Sequence, residues 1–143
     1  MIDEGLALLD RVHGLSALGP YQLQAAIAAV HARAPRPEDT DWPQIATLYD
    51  ALAAAAPSPV VELNRAVAVA MADGPDRGLR TLEPLGEALD GYHLFHSARA
   101  DLLRRLDRFD EAAAAYGRAL ELATNPQERR FLERRLADAH AAG

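Results

Sequence analysis

The chain has 143 residues, half of them apolar, and no cysteine. That is enough for one domain with a continuous core, too apolar for a disordered segment, and without the thiols a disulfide framework or a thiolate metal site needs. The net charge of −6 has the wrong sign for a protein that holds nucleic acid by its phosphates, so no direct nucleic-acid partner is expected.

Breakers divide the chain into eight segments, nearly all with a helical apolar period. Ile2, Leu6, Leu9 and Val12 predict a leading helix over 2–15. The start, Met1-Ile2-Asp3-Glu4, has no basic segment followed by an apolar run, and no stretch approaches the roughly 18 apolar residues of a membrane span. A soluble, cytoplasmic chain with no membrane partner is expected. Gly19-Pro20 opens the next helix, with proline where its missing N–H costs nothing. Asp41-Trp42-Pro43-Gln44 has the form of a capping box, with Trp42 as a staple into the core; Ser58-Pro59 caps the following helix. Gly74-Pro75, Asp90-Gly91 and Asp107-Arg108 mark further turns, and Asn125-Pro126-Gln127-Glu128 opens the last helix. Arg129, Arg130, Arg134 and Arg135 there alternate with Glu128 and Glu133, as on a solvated helix face.

Helices joined by short turns suggest hairpins, and the chain repeats. Ala66 and Ala100 stand 34 apart, as do Val69 and Leu103, Asp73 and Asp107, Gly78 and Ala112, Leu82 and Tyr116, and Leu85 and Ala119. That is the period of the tetratricopeptide (TPR) repeat. Small residues at Ala66/Ala100 and Gly78/Ala112 let the helices of a hairpin approach closely, while Leu82/Tyr116 fill the gap between repeats. The expected fold is therefore all-α: a single TPR-like helical-hairpin solenoid of about eight helices. Its hairpins would span about 20–56, 58–89 and 91–123, and a capping helix 126–140 would cover the last.

Four blocks carry a further resemblance: Gly19 to His31, Thr40 to Tyr49, Pro57-Ser58-Pro59-Val60-Val61-Glu62-Leu63-Asn64-Arg65-Ala66-Val67-Ala68, and Gly91-Tyr92-His93-Leu94 through Arg99-Ala100-Asp101-Leu102-Leu103. In this order the chain resembles the C-terminal extension of a group of bacterial extracytoplasmic-function RNA polymerase sigma factors. The resemblance implies a regulatory domain detached from the regions that bind core polymerase and read the promoter, since this chain has no helix-turn-helix with a basic recognition helix. The implied partner is a protein: the sigma regions of the same full-length chain, RNA polymerase, or a regulator. A TPR adaptor that binds a peptide or partner helix, unconnected with transcription, is the alternative.

The first helix of a TPR hairpin faces the concave groove, where extended peptides or a partner helix bind. Asn64, Arg65, Arg99 and Asp101 are expected at or near that groove. Asn64 costs helix propensity in mid-helix, which either a partner or an internal backbone bond must offset. Tyr21, Gln22 and Gln24 are further groove candidates in the first hairpin. His93 and His96 are groove candidates as well; they lie three apart on one helix, a spacing open to metal with His31 or Asp101 as a third ligand, but packed or hydrogen-bonded histidines are the simpler reading. No metal or cofactor is expected. Ser16, Ser58 and Ser97 lack a nucleophile-elbow turn, and Gly74-Pro75 and Gly86 form no phosphate-cradling loop, so no enzymatic activity is expected.

Overall fold

The computed structural model of the chain describes residues 18–143, so the leading helix expected over 2–15 lies outside the described residues. Those residues form seven α-helices. They are α1 (Pro20–Arg33), α2 (Trp42–Ala55), α3 (Pro59–Asp73), α4 (Pro75–Leu82), α5 (His93–Arg105), α6 (Phe109–Leu122) and α7 (Pro126–Ala142). Short 3₁₀ turns, Pro37–Asp39 and Glu83–Leu85, follow α1 and α4, and there is no strand among the described residues. The class is all-α. No helix among them is long and apolar enough to cross a membrane.

The helix starts are written in side chains. Pro20, Pro59, Pro75 and Pro126 each occupy the first helical position. The Ser58 hydroxyl accepts the Val61 N–H at 3.1 Å, and the Asp41 carboxylate accepts the Gln44 N–H at 3.2 Å. Asn125 accepts from Gln127 and Glu128 at 2.9 and 3.1 Å. Each such cap stabilises its helix by about 1 kcal/mol.

One segment is shorter than its sequence period suggests. The apolar period after Pro75 predicts a helix that carries the hairpin to Leu89, but α4 ends at Leu82 and tightens into a 3₁₀ turn containing Pro84. Proline lacks the N–H that would bond four residues back, and its ring crowds that carbonyl, so the helix stops. The last helix, by contrast, runs on to Ala142.

Among the described residues, each helix packs mainly on the helices before and after it in the chain. Two clusters form the core. Leu23, Ile27 and Val30 of α1 meet Ile45, Leu48 and Leu52 of α2, with Ala68 of α3; half-buried Trp42 packs against this group. The larger cluster joins Leu63, Ala66 and Ala70 of α3 to Leu79, Leu82, Phe95, Leu103, Tyr116 and Leu132. Helix α3 is thus the shared wall, its Ala68 turned to one cluster and Leu63, Ala66 and Ala70 to the other. The small residues of the sequence repeat sit where close approach requires them: Ala66, Ala100 and Ala112 have no exposed surface, and Gly78 is buried. The helix ends at Gly74 (φ 110°) and Asp107 (φ 60°) both use left-handed backbone. Asp107 is the repeat counterpart of Asp73 rather than of Gly74, so the two turns are offset by a single position.

Candidate protein-binding groove

Val60, Asn64, Val67 and Met71 recur on α3 at intervals of four, three and four, which places them on one face of the helix. Leu94, Ala98, Asp101 and Arg105 recur on α5 at the same intervals, each one repeat period after its counterpart. The two stripes border a cleft of about 310 Å³, whose lining includes Leu63, Asn64, Val67, Met71, Leu94, Ala98, Asp101 and Arg105. Met71 and Leu94 remain 45% and 40% exposed, and Val60, one turn before Asn64, 43%. Met71 and Leu94 thus leave an apolar strip partly in solvent at the cleft, and Val60 lies on the same face of α3 beyond the cleft lining.

The groove's polar groups are few. Asn64 is exposed at its middle and has no hydrogen-bond partner among the described residues. No hydrogen bond among the described residues offsets its cost to the helix, and its amide is exposed on the groove. Asp101 accepts from Arg104 Nη2 at 2.6 Å, while Arg105 Nη1 lies 3.6 Å from Met71 Sδ. Behind this end, Arg104 Nε reaches the buried Tyr116 hydroxyl at 3.3 Å, and burial pushes that hydroxyl above its ordinary pKa.

The structure separates residues that the sequence groups together. Arg65 and Arg99 do not line the groove. One residue past Asn64, Arg65 is turned about 100° round the helix, and its Nε donates to Asp50 Oδ1 of α2 at 2.6 Å and its Nη1 to Glu62 Oε2 at 3.2 Å. The hydrogen bond to Asp50 holds its guanidinium pKa above the ordinary arginine value. Arg99 Nε donates to Glu83 Oε1 at 2.7 Å. These arginines occupy matching positions of the repeat and make equivalent ties from α3 and α5 back to the preceding helical segment.

The two histidines are structural links as well. His93 Nε2 lies 3.1 Å from Glu128 Oε1, joining the start of α5 to the start of α7. His96 is buried with Nε2 2.7 Å from the Asp90 carbonyl, which can only accept, so that nitrogen carries the proton. Their rings address different partners, and no group of three metal-ligating side chains occurs among the described residues. Tyr21, Gln22 and Gln24 lie on α1, away from the α3–α5 cleft. Gln22 Oε1 accepts the Gly19 N–H at 2.8 Å, closing the helix start, and Gln24 is exposed. Tyr21 is 86% exposed at the second position of its helix, as Val60 and Leu94 are in theirs. Val60, Val67, Met71, Leu94 and Arg105 are not singled out by sequence reasoning. Extending the repeat register to the exposed stripe is the signal that finds them.

No protein-family model matches the chain, and no solved structure matches it. Over 136 residues, 95% of its length, the chain is 52% identical to an uncharacterized protein of Rhizobium meliloti (strain 1021). It spans about a third, 32%, of the length of that relative.

Proposed function

We propose that this chain is the TPR-like regulatory domain of a bacterial extracytoplasmic-function sigma factor, and that the α3–α5 groove receives a segment of a protein partner. The observation that carries the groove is the paired stripe: positions matched one repeat period apart on α3 and α5, apolar side chains left in solvent, and an exposed Asn64 amide with no partner among the described residues. In this reading the helices form three hairpins of a solenoid, with α7 covering the last.

Two things support the sigma-factor assignment. One is the four-block resemblance, which runs through α1, α2, α3 and α5 and so covers the groove itself. The other is the relative's size. If 136 residues are 32% of it, it has about 136/0.32 ≈ 425 residues, leaving about 290 outside the match, room for the two sigma regions. Function then lies in binding rather than chemistry: docking on the sigma regions, on polymerase or on a regulator shifts the population of polymerase-competent sigma. No cofactor takes part.

The test is a titration of this chain with the part of the Rhizobium meliloti relative outside the match, using wild type and Met71→Glu. Met71 is exposed, so the substitution leaves the fold intact while placing a charge on the apolar strip. Saturable binding that weakens at least about tenfold in the variant, a loss of some 1.4 kcal/mol, supports the proposal. Equal binding of both proteins removes the groove from the account; binding to unrelated apolar peptides but not to this part of the relative favours the free-standing adaptor.

A further inference from the structure

Between Pro59 and Leu122, Arg65, Arg77, Arg80, Arg99, Arg104, Arg108 and Arg118 each lie within 3.9 Å of a carboxylate. Arg105 is the one arginine of that span with no carboxylate partner among the described residues. Acids are not scarce, since the chain has 21 against 15 basic residues. The exception is also the only one of these arginines that borders the groove.

Arg105 has a second neighbourhood. It lines a further cleft of about 380 Å³ between the α5–α6 turn and α7, together with Arg104, Phe109 and Arg135. The two clefts meet at its side chain. The Nε of Arg135 is buried with no hydrogen-bond partner among the described residues, while its guanidinium carbon stands 5.1 Å from the centre of the Phe131 ring. Asp107 and Asp138 border the same cleft without pairing with Arg105 or Arg135. Arg104, by contrast, is engaged by Asp101 and the Tyr116 hydroxyl. A guanidinium beside an apolar floor binds a carboxylate through paired N–H donors more strongly than one in open water.

Resting on the reading of the groove as a protein site, we propose that its occupant is an amphipathic segment carrying a carboxylate. Its apolar side chains seat over Val67, Met71 and Leu94, and its carboxylate meets Arg105 at the end of the groove. Asp101 does not repel it, because Arg104 already neutralises Asp101.

The experiment is selection of short random peptides displayed on phage against the immobilised chain, repeated with Arg105→Glu and with Met71→Glu. Wild type enriches peptides with an Asp or Glu at fixed spacing from two or more apolar residues. Arg105→Glu weakens those peptides at least about tenfold, as loss of a charge-assisted bond requires, and redirects its own selection to Lys or Arg at the same position. Unchanged melting temperatures confirm that both variants are folded. Enrichment of apolar peptides with no preferred acid, lost in Met71→Glu but not in Arg105→Glu, overturns this inference and leaves the groove standing. Enrichment that neither variant alters, or no enrichment at all, overturns both.

Discussion

Gly78 on α4 faces Ala70 on α3 so closely that a β-carbon at position 78 would come within 2.3 Å of the Ala70 methyl and 2.8 Å of its Cα. Neither atom belongs to a side chain that can swing away, so α3 and α4 must part to admit it. Gly78→Ala is therefore expected to lower stability by about 2–3 kcal/mol, despite alanine's better helix propensity. Gly117, on α6, has nothing within 4 Å of where its β-carbon would be. Gly117→Ala should raise stability by roughly 0.5–1 kcal/mol. Urea unfolding of the two variants side by side checks both signs.

The equivalent ties Arg65–Asp50 and Arg99–Glu83 hold successive helical segments in register, yet all four side chains are partly exposed. A double-mutant cycle on either pair should give a coupling of about 0.2–1 kcal/mol, smaller in high salt. Neither single alanine variant should change groove binding, because both arginines lie off the groove. A tenfold loss of partner affinity in Arg65→Ala would return that residue to the binding surface.

Tyr116 is 1% exposed, and burial raises its hydroxyl above the ordinary value of 10.0; Tyr49 is raised for the same reason. The folded state keeps these protons after the unfolded chain has begun to release them. The stability they contribute is present below pH ~10 and falls as pH rises through the folded values. Denaturant midpoints should therefore drop above pH ~10, and Tyr116→Phe should make that fall shallower. At neutral pH the same variant loses the Arg104 contact, costing roughly 0.5–1.5 kcal/mol.

Most helix starts are legible from the chain because they depend on local chemistry: proline at the first position, and Ser58, Asp41 or Asn125 just before it. The close contact of Gly78 is legible too, since a repeat places its small residues by steric need. The end of α4 is not, because the apolar period continues through Leu82, Leu85 and Leu89 while Pro84 interrupts the backbone that would carry it. The site is only half legible. Asn64 and Arg65 are adjacent, but one step of about 100° round the helix turns Arg65 from the groove towards Asp50, so grouping them mixes the groove with the tie behind it. The His93–Glu128 contact spans 35 residues and depends on where α7 lies against α5, which no local pattern encodes. The apolar strip of Val60, Met71 and Leu94 resembles core in the sequence, because hydrophobicity alone does not say which side of a helix is covered.

One transcription measurement tests the sigma-factor proposal most directly. The Rhizobium meliloti relative would be assayed with core RNA polymerase on promoter DNA, whole and with the matching 136-residue segment deleted. The prediction is that the whole relative binds core polymerase and directs promoter-specific transcripts, and that deletion changes their yield at equal protein concentration. A relative that neither binds polymerase nor supports transcription, or one whose output is the same without the segment, would contradict the proposal that this chain regulates a sigma factor.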